Sequence, residues 1–367
     1  MSKKKNQHYV PQFYLRNFSK DRKSLNLFNI SNNKSIIGDS IRNQCSDDYF
    51  YGKNGIIENT FTNIEKISGE LITKMILKKY IPKLKSQDHT ILQLFIVTLY
   101  SRTKYKYNEF NEILNKTGKS TLKLHPEIDE KLLSEVELKS EFPLQYPLLN
   151  AFSSYQLIQD LKIHLFVNKS NISFLTSDHP VVHYNKWTEN IENFGTIGLA
   201  SKGLLIFLPL SPEILVLLYD SSIYRIGLTK EFISNIEKDE DVENINLLQW
   251  LSSNDNIYYY NADDSPKIII DSGKYIPMRN SEKIIIQERG DSQDGKLIGF
   301  HSQKLKMKLN VSIINLSIQA KRIIENDRVL KVRNPLLLKT VREFRKKVDE
   351  GLYKITEWNE FINDIAG

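Results

Sequence analysis

The 367-residue sequence predicts an α+β fold: an N-terminal β-hairpin and helix pair, a central antiparallel or mixed sheet, and a helical C-terminal extension. Three observations carry this. Near the N-terminus the turn-forming "SNN" at 31–33 separates two short apolar runs. From Ile57 onward apolar residues recur at intervals of three and four, the period of a helix face. Beyond residue 160 the texture changes to short runs rich in β-branched and aromatic residues, the composition of strands.

The opening stretch, "HYVPQFYLRNFS" at 8–19, has only the basic start of a secretory signal. Read as a strand, it alternates His8, Val10, Gln12, Tyr14 and Arg16 on one face against Tyr9, Pro11, Phe13, Leu15 and Asn17 on the other. Residues 24–38 follow as a hairpin around "SNN". Ile57, Phe61, Ile64, Ile67, Leu71 and Met75 describe one face of a first helix that stops before Pro82. A second helix is expected from Asp88 to Leu114, capped by Ser86, with Ile91, Leu92, Phe95 and Leu99 as its buried stripe. Residues 117–148 carry Gly118, Pro126, Pro143 and Pro147 among charges and read as a surface insertion or hinge. Strands are expected at "KIHLFV", "ISFLTS", "GLLIFLPL", "EILVLLYD", "NIYYY" and "PKIII", interrupted by one helical segment at about 230–253. "RGDSQDGK" at 289–296 looks like an exposed loop, and helical spacing returns in "PLLLKTVREFRKKVDEGLYKI". The chain therefore divides into a core at 1–289 and a basic helical extension at 290–367.

A hydrophobic content of 40% is enough for a large core, and no apolar run approaches the length of a bilayer crossing. A single cysteine, Cys45, rules out an internal disulfide framework or a cysteine-cluster zinc site and fits a reducing cytoplasm. The net charge of +7 invites a nucleic-acid partner, with positive charge gathered in "SKKK" at 2–5 and in Lys321, Arg322, Arg328, Lys331, Arg333, Lys339, Arg342, Arg345, Lys346 and Lys347. A solvated terminus and helix face account for the same clusters. The C-terminal helices could equally meet a protein partner.

The sequence contains no glycine-rich phosphate loop, GxSxG elbow, HExxH pair or dinucleotide fingerprint. What remains is a set of ionisable residues in apolar settings. Glu58 and Glu65, seven residues apart, point the same way along the first helix. Arg102 follows Phe95 and Leu99 at helical spacing, prolongs the buried face, and needs a carboxylate partner such as Glu65 or Glu58. In "FLTSDHPVV" at 174–182, Asp178 ends an apolar strand before a proline, a place from which functional groups project or at which a turn is fixed. His179 and His183 are four apart and would share a face only if Pro180 allows it.

These residues resemble a prokaryotic family catalogued as domain of unknown function 4238. The resemblance rests on "HYVPQFYLRNF", "DDYFYGKNGIIENTFTNIE" at 47–65, Arg102-Thr103, "FLTSDHPVV", "LPLSP" at 208–212 and "INLLQW" at 245–250, in that order over residues 6–262. It implies that His8, Arg16, Glu58, Glu65, Arg102, Asp178, Asn246 and Gln249 belong to one recurring set. Family members often carry Gln in place of Tyr100 and Asn in place of His179. The resemblance also implies a setting on mobile and prophage-like elements, hence anti-phage defence or toxin-like action.

Two readings follow. As a metal-dependent nuclease, the protein would hold Mg²⁺ or Mn²⁺ on Glu58, Glu65 and Asp178. His8, Glu65, Arg102 and Asp178 would carry the chemistry, while Arg16, Asn246 and Gln249 would bind RNA or DNA. As a non-catalytic sensor of a phage protein, a nucleotide or a nucleic acid, it would use the same residues to pin the N-terminal segment onto the helix pair.

Overall fold

The computed structural model describes residues 5–53, 55–123, 127–191, 195–227, 232–292, 295–326, 332–354 and 357–366. The N-terminal segment opens with β1 (Asn6–His8), α1 (Gln12–Leu15) and a single 3-10 turn. The hairpin β2 (Ser24–Asn29) and β3 (Lys34–Ser40) follows, then β4 (Ser46–Asp48), which pairs antiparallel with β1. The long helix α2 (Ile56–Lys78) packs on α3 (Gln87–Ser101), and α4 (Lys104–Leu122), α5 (Glu130–Glu135) and α6 (Gln145–Phe152) complete a helical layer. Residues 117–148, expected as an insertion, are in large part helical.

The second half brings β5 (Lys162–Asn168), β6 (Thr176–Ser177), β7 (Val182–Tyr184), β8 (Leu205–Ser211), β9 (Ile214–Tyr219), β10 (Tyr224–Ile226) and β11 (Ile233–Ile236). Then come α7 (Asp239–Ser252), β12 (Asn256–Tyr259), α8 (Ser265–Tyr275), and the hairpin β13 (Ile284–Ser292) and β14 (Gly295–Ser302). The chain closes with β15 (Ile314–Leu316), α9 (Ile318–Asn326), α10 (Pro335–Asp349) and α11 (Trp358–Ala366). The central sheet is mixed, in the order β11-β5-β9-β8-β7, with β11 parallel to β5 and the other pairs antiparallel. A second, antiparallel sheet runs β3-β2-β12-β6. The architecture is the expected α+β.

The central strands read as continuous apolar runs because both faces of the sheet are covered. Ile206, Leu208, Val216 and Leu218 pack in one core with Phe61, Leu92 and Phe95 from α2 and α3. Leu205, Phe207, Leu215 and Leu217 face a second core with Val242, Ile245 and Leu248 from α7.

Five expectations are corrected. The opening stretch is a strand for three residues only. Pro11 lies in the extended region immediately before α1, and its ring stops continued ladder pairing while suiting a helix start. The helix expected over 88–114 is two helices. Arg102 leaves helical geometry at φ −99, ψ 0, and Thr103 is extended and fully buried. "PKIII" is helical within α8, with Pro266 in its first turn and Ile268, Ser272 and Tyr275 on its buried side, while Ile269 and Ile270 face outward. "ISFLTS" contributes a strand of two residues only. The loop expected at 289–296 falls largely within the β13–β14 hairpin, whose turn at 293–294 lies outside the described residues.

The C-terminal segment is stitched into the rest of the chain. β15 pairs with β10, and Arg333 makes bonds of 2.9–3.0 Å to the Asp160 carboxylate and donates to the carbonyls of Leu199 and Ser201.

Candidate functional site

Arg102 is 2% exposed and spends its guanidinium inside the protein. Nε donates to the Tyr9 carbonyl at 3.0 Å, and Nη2 donates to the His8 carbonyl at 3.1 Å and to Glu65 Oε1 at 2.6 Å. The cationic carbon sits 4.4 Å above the Phe61 ring. A buried guanidinium is tolerated because each direction meets an acceptor or an aromatic face. The result clamps the N-terminal segment to α2 and to the α3–α4 break. Tyr51 adds to it, donating to the His8 carbonyl at 3.3 Å.

His8 and Arg16 are connected, through helical rather than strand spacing. Arg16 donates to Gln12 Oε1 at 2.8 Å, and Gln12 Nε2 lies 3.0 Å from His8 Nε2. Glu58 is half-buried on α2.

Asp178 answers a different neighbourhood. It is 1% exposed, and its two oxygens accept from three consecutive backbone amides: Asn254 N at 2.7 Å, Asp255 N at 2.8 Å and Asn256 N at 3.0 Å. Burial pushes its pKa up to about 6 against the pull of those three donors. The carboxylate thereby fixes the turn from α7 into β12. Asn246 and Gln249, one helical turn apart on α7, finish the job with their amides. Asn246 accepts from Leu175 N at 2.8 Å and donates to the Ser173 carbonyl at 2.9 Å. Gln249 accepts from Ser177 Oγ at 2.8 Å and donates to the Pro180 carbonyl at 2.9 Å. They satisfy backbone groups on either side of the two-residue β6, together with the Ser177 hydroxyl.

The structure thus joins His8 with Arg16 and Glu65 with Arg102, and it directs Asp178, Asn246 and Gln249 to the packing of one extended segment on α7. Among the described residues no three His, Cys, Asp or Glu side chains are grouped so as to hold a metal ion, and the trio Glu58, Glu65 and Asp178 forms no such centre. The donor set expected for Mg²⁺ or Mn²⁺ therefore does not fit, because Asp178 already has its oxygens occupied by N–H groups.

On the other side of the same motifs lies a cavity of about 420 Å³ between the α3–α4 break, α6, the 195–199 loop and the β13–β14 hairpin. Thr103 and His179, the immediate neighbours of Arg102 and Asp178, share a hydrogen bond of 2.7 Å between Oγ1 and Nδ1, which ties the two motif segments together. The rings of Tyr105 and His179 stack at 4.5 Å, and those of Tyr100 and His183 stack at 3.9 Å. Lys106 and Glu109 form a buried ion pair, with Lys106 Nζ 4.3 Å from the Tyr100 ring centre and Ser302 Oγ donating to Glu109 at 3.0 Å. His183 is 5% exposed. Its Nδ1 lies 3.2 Å from the Ile197 carbonyl, whereas its Nε2 is buried with no hydrogen-bond partner among the described residues. Burial, with help from Lys106, pushes the His183 pKa down to about 3, so the ring is neutral at physiological pH. A neutral imidazole beside a carbonyl carries its proton on that side, which makes Nε2 an acceptor. Gly195 permits the enclosure: a Cβ there would sit 3.0 Å from His301 Cβ.

Tyr100, Lys106, Glu109 and Ser302 were absent from the expected site, and His179 and His183 entered only as a pair four residues apart. A signal did exist in "KYKYNE", where Lys106 and Glu109 are three apart on a helix just after a buried arginine.

The basic C-terminal series is partly spent. Arg333 is bound to Asp160, Arg345 donates to the Ser153 carbonyl and to Ser154, and Lys339 and Lys346 lie 3.9 and 3.8 Å from Glu343 and Glu350. Arg328, Lys331 and the start of "SKKK" lie outside the described residues. Among the described residues no helix is long and apolar enough to cross a membrane.

Fold and site together define an α+β protein whose motif residues build a closed polar lock, with an open cavity lined by their neighbours in sequence and by more distant segments. The chain belongs to the family described as protein of unknown function (DUF4238), whose family model matches residues 6–263. No curated protein matches the chain, and no solved structure matches it.

Proposed function

We propose that this protein is a non-catalytic recognition module, and that its ligand enters the cavity beside His183. The anti-phage setting implied by the family resemblance makes it a sensor in a bacterial defence system. The observation that supports this most is the engagement of two residues of the expected catalytic set. Arg102 donates to Glu65 and two carbonyls, and Asp178 accepts from three backbone amides. Groups so engaged hold the fold and are not free to hold a metal or move a proton on a substrate.

The test is a cleavage assay. Full-length protein is incubated with single- and double-stranded RNA and DNA in the presence of Mg²⁺ and of Mn²⁺, beside the Glu65→Gln and Asp178→Asn variants. No turnover by wild type is expected. Cleavage by wild type that both variants lose while still folded would reinstate the metal-dependent nuclease.

A further inference from the structure

We propose that the stretch 136–142 together with α6 is a docking edge for an extended, basic segment of another protein, which pairs as a β-strand with residues 136–140 and rests its apolar side chains on Phe142, Tyr146 and Leu149. None of these residues lines the cavity beside His183, so the proposal goes beyond the recognition reading above and does not depend on what enters that cavity.

Three observations lead there. First, residues 136–140 run along α4 without turn or bend. Asn115 Oδ1 accepts from Leu138 N at 3.1 Å, and Asn111 Oδ1 accepts from Ser140 N at 3.1 Å. Four residues of helix rise about 6 Å and two residues of extended chain span roughly 6.6 Å, so two amides on one helix face meet alternate N–H groups of a strand. Leu138 fills the room that Gly118 leaves, for a Cβ there would meet Leu138 Cδ1. One edge of the segment is thereby taken by α4. On the other, Glu137 N and Lys139 N have no partner among the described residues, and both side chains are exposed. An extended chain with one edge fixed and the other unpaired is a template for a further strand.

Second, exposed apolar side chains gather beside that edge. Phe142, Tyr146 and Leu149 are 53%, 68% and 54% exposed, although Leu144, Leu148 and Ala151 of the same stretch are buried. The Tyr146 ring stacks on Phe110 of α4 at 5.8 Å, and Phe142 N donates to Ser140 Oγ at 3.1 Å, which joins the apolar stripe to the strand edge. Apolar residues so grouped mark an interaction site, whereas single scattered ones do not. Third, charge selects the occupant. The chain carries +7 overall, yet in the stretch 127–141 Glu127, Asp129, Glu135, Glu137 and Glu141 are exposed against Lys131 and Lys139. Lys139 is itself paired with Glu137 at 2.9 Å. The charge left over is acidic and complements a basic segment, while two copies of this edge laid side by side would bring like charges together.

Isothermal titration of the full-length protein with the acetylated, amidated peptide Lys-Val-Lys-Val-Lys-Val tests the proposal. It is run beside a form N-methylated at every internal amide and a counterpart with Glu in place of Lys. Binding of the basic peptide is expected at Kd below ~1 mM, weakened about tenfold or more by N-methylation, by the change to Glu, and by the double variant Tyr146→Ser, Leu149→Ser. Affinity should also fall as salt rises from about 50 to about 500 mM. Both substitutions fall at exposed positions, and should the variant fail to fold, the N-methylated peptide on wild type decides alone. The proposal is overturned by absence of binding of the basic peptide, by equal affinity for the N-methylated or the Glu form, or by affinity indifferent to the double substitution in a folded variant. Self-association of the free protein in light scattering, abolished by the double variant, would assign the face to a second copy and overturn it as well.

Discussion

Arg102 and His183 are both buried, both polar and both next to the seam where Thr103 meets His179, yet they stand in opposite conditions. Around Arg102 and Asp178 the protein supplies the partners: three acceptors for one guanidinium, three amides for one carboxylate. Around His183 an acceptor is left over and a cavity stands beside it. Buried charge by itself does not mark a functional site. Buried hydrogen-bonding capacity that the fold does not consume is the better marker, because it is costly to maintain and nothing in the packing explains it.

The contrast can be broken at its strong end first. Arg102→Ala removes the clamp, leaves Glu65 and the Tyr9 carbonyl without their Arg102 donor, and leaves the His8 carbonyl with Tyr51 alone. A loss of about 3–5 kcal/mol is expected in urea unfolding, the range for breaking one partner out of a buried pair. A variant that keeps wild-type stability would show that the lock does not hold the N-terminal segment. Asp178→Ala strips the acceptor from three amides that are themselves half-buried, and about 2 kcal/mol should disappear, read as a lower thermal transition. Gln249→Ala frees Ser177 Oγ and the Pro180 carbonyl and should cost about 1 kcal/mol. His183→Phe belongs at the far end: it gives up only the Nδ1 bond to the Ile197 carbonyl and keeps a ring of similar size, so its melting temperature should fall by no more than a few degrees.

Acid sharpens the comparison because the two regions respond with opposite sign. Asp178 has a folded pKa of about 6 against the ordinary 3.8, so the native state takes up its proton first and this group adds stability as pH falls from 6 toward 4. His183 has a folded pKa of about 3 against 6.5. The unfolded chain binds the proton first, and stability is lost as pH falls below 6.5. Unfolding free energies measured from pH 7 to 4 should therefore decline more steeply in Asp178→Asn than in wild type and less steeply in His183→Phe. Parallel curves for all three proteins would contradict the burial assigned to both groups.

Much of the fold is written in local pattern. The 24–38 hairpin, the helix from Ile57, the Ser86 cap that accepts from His89 N, and the apolar strands of the central sheet all appear where spacing and turn chemistry place them. The partnership of Arg102 with a glutamate of the first helix was legible too, since helical spacing put the arginine on a buried face. The break after Ser101 was not, because it depends on Thr103 reaching His179, 76 positions away. The helix over Ser265–Tyr275 was missed for a related reason: three consecutive isoleucines suit a strand, and only packing shows that Ile268 alone of them is buried. Asp178 could be placed at the end of a strand, but its amides lie at 254–256, beyond any local window.

By itself the sequence determined the fold class, the family, and that Arg102 lies on a buried face and needs a carboxylate, because periodicity and motif order act over a few residues at a time. Tertiary structure decided what those residues are for. Whether a buried group is spent or spare depends on partners contributed by distant segments, and in this chain such segments supply the partners of Arg102 and Asp178 but none, among the described residues, for His183 Nε2.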